Sequence, residues 1–521
     1  MQKIKNFVIY PFLMAAHPIL VLLAHNIDQI KPAAAWRALL LSIVVVTILF
    51  LLLRVILRDW HRAGALSSFY VILFFTYGHL YQFIRGSLPY GASIGRHRVL
   101  LPIWVIFFIV GSWLIIKRLK KPQSITMPLN IILAVMLIVP IVQLVDFQIR
   151  SSRAWAEPQP LAAINDFKLP ENETLPDIYY IILDGYGRGD FLRDEFGYDN
   201  SQFLNQLEEL GFTVAQKSKS NYAQTKLSLA SSLNMDYLQS LRSDIVSGNN
   251  DSSPLNPMII QSAVRSVLEE LGYKIVAFET GYNWTQIEDA DFYLTKRTSK
   301  IGEFYAQGRM NAFEAMLLQN SVLLVLTDAA IVLPDIFTPE IQAPFQDHRE
   351  RILFILDSLK DAPSIQSPKF VFAHLVIPHP PFVFAPEGEE VELPSQFTLT
   401  ETTEIQDEAK YVEGYLNQLQ FVNLQMESVL SEILSKSATP PVIVIQADHG
   451  PGLSSAQGRM AILNAYFLPG KDQSVIYASI SPVNTFRVIF NEFFGAHYSL
   501  LEDISYFSTY QDFYNFRIVD D

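Results

Sequence analysis

Cysteine is absent from all 521 residues. Disulfides, thiolate metal sites and cysteine nucleophiles are therefore excluded. Charge is scarce as well, at 17% of residues, and acids outnumber Lys and Arg by 52 to 39, for a formal net charge of −13. A chain without a basic surplus has little with which to displace the counterions of nucleic acid, so no nucleic-acid partner is expected. What abounds is apolar: 50% of residues are hydrophobic and the mean hydropathy is +0.21, high for a soluble enzyme.

That excess is concentrated before residue 150. Five apolar runs, roughly 6–25, 38–57, 68–84, 99–116 and 127–146, approach the ~20 residues that carry a helix across a ~30 Å hydrocarbon core. The third is weakest, because it carries His79 and Gln82. A cleaved signal peptide would precede polar sequence, not four more apolar runs. Nine Lys and Arg lie in the loops on one side (Lys3 to Lys121) and five on the other (Lys31 to Arg98). The bias places the N-terminus in the cytoplasm, and an odd number of crossings puts the remainder outside. The Arg-rich loop 85–98 runs against this bias; loop solvation explains it more simply than lipid-headgroup binding. Expected boundaries are 1–147 for a transmembrane domain, 148–175 for a Pro- and Asn-rich linker and 176–521 for an extracytoplasmic domain. The sequons at Asn172 and Asn283 carry no weight unless the host glycosylates.

Beyond the linker, short β-rich runs alternate with helical ones. "DIYYIILDG" (177–185) reads as a buried parallel strand, and 200–211 as a helix capped by Gly211. Helix–strand units follow at 258–271 with 273–279, 347–360 with 369–376, and 405–436 with 441–447. The pattern predicts an α/β fold with a mostly parallel sheet covered by helices on both faces, where chemistry gathers at the carboxyl ends of the strands.

Three of those ends carry potential ligands of a divalent ion: Asp184 in "IILDG", His374 and His379 in "FVFAHLVIPHPPF", and Asp448 with His449 in "VIVIQADHG". Each has an ordinary reading. Asp184 before Gly suits a turn, His374 suits a buried core position, and His379 between prolines suits an exposed loop. Convergence on one sheet edge argues for a site. Such a site lacks only a nucleophile. In "SNYAQTKLSLASSLNM" (220–235) a helix is expected to begin at Thr225, with Ser228 and Ser232 one and two turns inside. An alcohol at a helix N-terminus beside a cation has both a lowered pKa and free N–H groups to receive an ester anion. A plain N-cap is the ordinary role for Thr225.

On these residues the chain resembles the alkaline-phosphatase/sulfatase superfamily, and within it the membrane-anchored lipoteichoic acid synthases and phosphoethanolamine transferases. The resemblance implies five transmembrane helices, an extracytoplasmic sulfatase-like α/β domain and one divalent ion (Zn²⁺ or Mn²⁺, with Mg²⁺ an option). It implies Asp184, Thr225, Asp448 and His449 as metal ligands. Thr225 would be the nucleophile with Ser228 three residues on, and His374 and His379 would contact the substrate phosphate. Asp184 stands where the transferases carry Glu. The segment after "DHG" departs from their pattern and lacks a later His, whose place Arg459 or Asn464 would take. Neither the Cys or Ser nor the Pro and Arg of a formylglycine element surrounds Thr225, so formylglycine chemistry is disfavoured.

The expected activity is metal-dependent transfer of a phospho-headgroup from a membrane phospholipid, through a phospho-Thr, to an envelope glycan or lipid acceptor. The expected location is the bacterial cytoplasmic membrane. Asp before Gly at 184 also suits phosphodiesterases, which leaves ester hydrolysis as the alternative. A catalytically inactive, membrane-tethered binding protein is the third.

Overall fold

A computed structural model describes residues 7–87, 96–156, 175–296, 309–325, 334–393 and 408–520. The tip of the 85–98 loop, most of the expected linker and Asn172 lie outside them. The chain forms two compact units.

The first unit contains α1 (Tyr10–Asn26), α2 (Trp36–Leu57), α3 (Trp60–Ser87), α4 (His97–Trp113) and α5 (Gln123–Ala156). The helices start and stop where their sequences change. Pro11 opens α1, where a missing N–H costs nothing, and left-handed Arg58 ends α2 with its N–H on the Arg54 carbonyl. Four segments are long and apolar enough to cross a membrane: Pro32–Leu57, Trp60–Ile84, His97–Arg118 and Gln123–Ala156. The first run forms a helix of 17 residues, ~25 Å at 1.5 Å per residue, so a fifth crossing is not shown by length. It packs into the bundle nonetheless: Ala15 meets Val46 of α2 and Val71 of α3. The last helix runs to Ala156, about ten residues past the end of its apolar run, because "FQIRSSRAWA" holds no helix breaker before Pro158.

The second unit is built on a seven-stranded sheet. In chain order its strands are β1 (Ile178–Leu183), β2 (Thr213–Val214), β3 (Lys274–Phe278), β4 (Phe292–Leu294), β5 (Lys369–Leu375), β6 (Val442–Gln446) and β7 (Asn464–Phe467); in space they run β2-β7-β6-β1-β5-β3-β4. The five strands from β6 to β4 are parallel, whereas β7 runs antiparallel to β6 and β2 to β7. Every residue of β1, β5 and β6 is buried, which explains why their sequences are continuous apolar runs rather than alternating ones. The flanking helices include α6 (Ser201–Glu209), α7 (Thr225–Ser232), α8 (Ala263–Glu270), the part of α10 (Pro334–Asp361) from Phe345 onward, α11 (Glu408–Lys436) and α12 (Pro482–Phe494). Gly211 follows α6 with φ +93°, the left-handed conformation expected of it. The predicted helix over 258–271 breaks at Gln261, and Ser262 caps α8 by accepting the Arg265 N–H. At the amino ends of the strands, Asp177 pairs with Lys369 (2.5 Å), both nearly buried.

Candidate active site

The central strands β6, β1 and β5 are adjacent, and their register sets Ile182 beside both His374 and Gln446. Asp184, His374 and Asp448 thereby reach one edge of the sheet from three neighbouring strands. Gly185 follows with φ +76°, a turn any other residue would strain, and its N–H donates to Asp448 Oδ1 (3.1 Å). One ligand atom each from Asp184, His374 and Asp448 lie within 4.8 Å of one another, and all three residues are fully buried.

His374 Nε2 is 3.1 Å from Asp184 Oδ2. His449 Nε2 lies 3.6 Å from Asp184 Oδ1 and 3.3 Å from Asp448 Oδ2. Its Nδ1 is 2.9 Å from the Gly450 carbonyl, which assigns the proton to Nδ1 and turns the Nε2 lone pair towards the carboxylates. Among the described residues, neither Asp184 Oδ1 nor Asp448 Oδ2 accepts a hydrogen bond. Two buried carboxylate oxygens in that condition, beside imidazole nitrogens, fit a divalent cation that supplies the missing partner. Burial alone would raise the Asp184 pKa, but His379, His374 and His449 outweigh it and hold the carboxyl well below the usual range.

Thr225 opens α7 as its first helical residue, and Gln224 occupies the cap position. Thr225 thus stands one residue inside the cap position, and the Gln224 side chain makes no capping bond. Thr225 Oγ1 is 3.2 Å from His449 Nε2. The Arg459 guanidinium approaches the same nitrogen at 3.1 Å, held by the Ala223 and Gly450 carbonyls (2.9 and 3.1 Å). His379 packs its ring 6.3 Å from that of His449, and its backbone N–H donates to the Asp184 carbonyl (3.1 Å). Ser228 lies one turn inside and meets Ser220 Oγ at 3.2 Å; Ser220 in turn donates to the Asp448 carbonyl. Asn464 directs its amide to Ser218 Oγ and the Ile480 carbonyl instead (3.0 and 3.2 Å). The structure therefore brings Asp184, Thr225, His374, His379, Asp448, His449 and Arg459 together, with Ser228 behind them and Asn464 bonded elsewhere.

Three supporting residues gave no signal in the sequence. The Tyr415 hydroxyl donates to the Gly185 carbonyl and accepts the Gly187 N–H, both at 3.0 Å, which steadies the turn carrying Asp184. Thr285 Oγ1 sits 3.2 Å from His374 Nδ1 and orients that ring. His348 is buried near Arg351, His379 and Asp184, and its pKa is pushed down to about 3, by burial first and the Arg351 charge second. Tyr415 and His348 each lie on the apolar face of a long helix, where they read as core.

A family model described as sulfatase matches residues 176–475. No curated protein matches the chain. The structure is similar to the C-terminal periplasmic domain of EcEptC from Escherichia coli in complex with Zn, at 12% identity over 69% of this chain and 96% of that one, with a TM-score of 0.39. It is similar to the integral membrane protein lipooligosaccharide phosphoethanolamine transferase A (EptA) from Neisseria meningitidis, at 12% identity over 94% of each chain and a TM-score of 0.38. The periplasmic domain of phosphoethanolamine transferase EptC from Campylobacter jejuni gives 11% identity, coverage of 63% and 92%, and a TM-score of 0.36. At such identities and TM-scores, these likenesses add nothing on substrate or site.

Proposed function

The chain belongs to the sulfatase family, and from that premise we propose that it transfers a phospho-headgroup from a membrane phospholipid to an acceptor hydroxyl through Thr225. The observation that carries this reading is the Thr225 hydroxyl, first residue of a helix and 3.2 Å from a histidine whose Nε2 adjoins two hydrogen-bond-deficient buried carboxylates. Asp184, Asp448, His449 and His374 would hold one divalent ion, Zn²⁺ or Mn²⁺ by their mix of carboxylate and imidazole. When bound, that ion lowers the pKa of a neighbouring alcohol and offsets charge on phosphoryl oxygens.

The chain's own groups do the rest. Thr225 Oγ gives up its proton and forms the new bond to phosphorus as the bond to the diacylglycerol oxygen breaks, and the leaving oxygen takes up a proton, so that the step is proton-neutral overall. The N–H groups at the start of α7 and the Arg459 guanidinium receive the phosphoryl oxygens, and His379 stands at the same edge to contact them. An acceptor hydroxyl then displaces Thr225 in a second in-line step and restores it. Water as the acceptor gives hydrolysis instead. Asp184 in the turn after β1 favours that second reading, because phosphodiesterase relatives share it.

A membrane-embedded donor accords with the apolar bundle. We assign five crossings, with α1 as the shortest, in a bacterial cytoplasmic membrane and with the catalytic unit outside; the excess of Lys and Arg in the alternate loops supports that orientation. Vesicles carrying headgroup-labelled phosphatidylglycerol or phosphatidylethanolamine test the chemistry. Label should appear on Thr225 by peptide mass spectrometry, and Thr225→Ala should lose donor turnover by about 10³-fold or more. Wild-type turnover by Thr225→Ala would sink the mechanism, and product release without any acceptor would select hydrolysis.

A further inference from the structure

Residues 309–325 lie in sequence between parts of the catalytic unit, yet they fold with the membrane helices. Their short helix α9 (Ala312–Gln319) begins with a full capping box: Asn311 accepts the Glu314 N–H (2.9 Å) and Glu314 accepts the Asn311 N–H (3.1 Å). The Arg37 guanidinium, at the start of α2, forks onto the same Glu314 carboxylate, with Nε 2.6 Å from Oε1 and a second N–H on Oε2. The Asn311 amide donates to the Ala34 carbonyl (3.1 Å). Phe313 is fully buried against Ile19, Leu23, Ala35 and Ala38. Gly78 of α3 is required by the contact: a Cβ there would come within 2.2 Å of the Gln319 carbonyl. Beyond α9, the Val322 N–H donates to the Phe74 carbonyl (2.7 Å) and Leu324 buries against Tyr77, Tyr81 and Leu100.

The touched positions follow one rule. They fall in the later part of α1 and α3 and at the start of α2 and α4. In an alternating bundle these are ends on a single face, the face that the Lys and Arg bias assigns to the outside. An apolar segment with its own cap, a bidentate ion pair and a glycine cut to receive it is a built attachment, not a loop collapsed on a neighbour.

We propose that residues 309–325 are a docking strap which restrains the catalytic unit for substrates anchored in the bilayer, and so selects lipid-embedded esters over soluble ones. The proposal rests on the phosphotransfer reading for its chemistry. A catalytic fold joined to a bundle by one connection can turn about it; a segment that leaves the fold, docks and returns adds constraints and raises the effective concentration of a headgroup confined to the same membrane. A freely diffusing ester gains nothing from that restraint.

The Cys-free chain makes the test direct. Full-length protein in vesicles carrying labelled phosphatidylglycerol or phosphatidylethanolamine is compared with the same protein acting on soluble bis(p-nitrophenyl) phosphate. Arg37→Gln and Glu314→Gln should each slow turnover of the vesicle donors about tenfold more than that of the soluble ester. A double variant, Arg37→Cys with Glu314→Cys, should show the same selective loss and regain vesicle turnover when its two thiols are bridged by a short bismaleimide. Equal loss on both substrates, no loss on either, or a bridge that forms without restoring vesicle turnover overturns the strap. The site reading fails separately, if Thr225→Ala releases p-nitrophenol as fast as the wild type.

Discussion

Helix α2 and strand β1 are both unbroken apolar sequences, yet they resolve the same requirement in opposite ways. In α2 only Ala38, Val46 and Phe50 are buried, and Leu41, Val45, Ile48, Val55 and Ile56 face outward. In β1 all six residues are buried. Length decides between them: 22 residues form an amply long helix, whereas six can be covered only by other strands and helices. Polar groups diverge in the same way. Buried Thr126 on α5 of the bundle approaches His61 Nδ1 on α3 (2.7 Å), so each polar group has a partner across the helix pair. The catalytic unit instead buries Asp184, His374, Asp448 and His449 at one edge, where two carboxylate oxygens have no donor among the described residues. The first unit turns its apolar groups outward, and the second gathers buried acid and imidazole groups at one edge of its sheet.

The largest effect that would break this contrast is expected at Asp448. Asp448→Asn removes a charge from the buried acid and imidazole cluster and should lower donor turnover by about 10³-fold. A readout independent of activity accompanies it. A chelator should lower the unfolding temperature of the wild type, by linkage worth about 2.7 kcal/mol when metal stands at a hundredfold its Kd, and leave the variant nearly unmoved. Equal shifts in both proteins would mean that the two oxygens are not a cation site.

The next test sets two valines of equal exposure against each other. Val45 on α2 is 53% exposed and Val246 in the catalytic unit is 54% exposed. If the bundle faces lipid, Val45→Asp should cost about 3 kcal/mol of membrane insertion, while Val246→Asp should stay within about 0.5 kcal/mol in a thermal melt. Similar outcomes in an insertion assay and a melt would remove the distinction between the units.

The effect that is smallest per step of the measurement concerns pH. His348 is held neutral, its pKa lowered from 6.5 to about 3 with Arg351, His379 and Asp184 as its charged surroundings. Its unfolded form binds a proton below pH 6.5 and its folded form does not until about 3, so its contribution is whole above 6.5 and declines as pH falls. The wild type should therefore lose up to about 1.4 kcal/mol per pH unit more than His348→Leu between those limits. Parallel melting profiles would show that His348 is protonated in the fold.

Much of the catalytic unit was legible because buried parallel strands have no alternative to continuous apolar sequence, and because a ligand that ends a strand is marked by the change to polar residues. Asp184, Asp448 and His449 stood out for that reason, and Thr225 because a polar stretch turned helical behind it. His374 was harder to place, since a histidine inside a strand reads equally as core; the register of β5 against β1 sets it against Asp184. Tyr415 and the 309–325 strap were not legible. A tyrosine on the buried face of α11 differs from a packing residue only by what its hydroxyl meets, 230 positions away. The strap reads as an ordinary apolar helix until Arg37, 277 residues earlier, is brought to Glu314.

Local sequence alone determined which segments are long apolar helices, which are short buried strands and which residue types stand at the strand ends. Those properties follow from backbone periodicity and the transfer of apolar groups out of water, and both act within a few neighbouring residues. Only the tertiary structure decided that the strands lie in the order β6-β1-β5, so that Asp184 gathers His374 on one side and Asp448 on the other. Strand order arises from hydrogen bonding and packing between distant segments, and the energy of bringing three buried acid and imidazole groups together exists only once those segments meet.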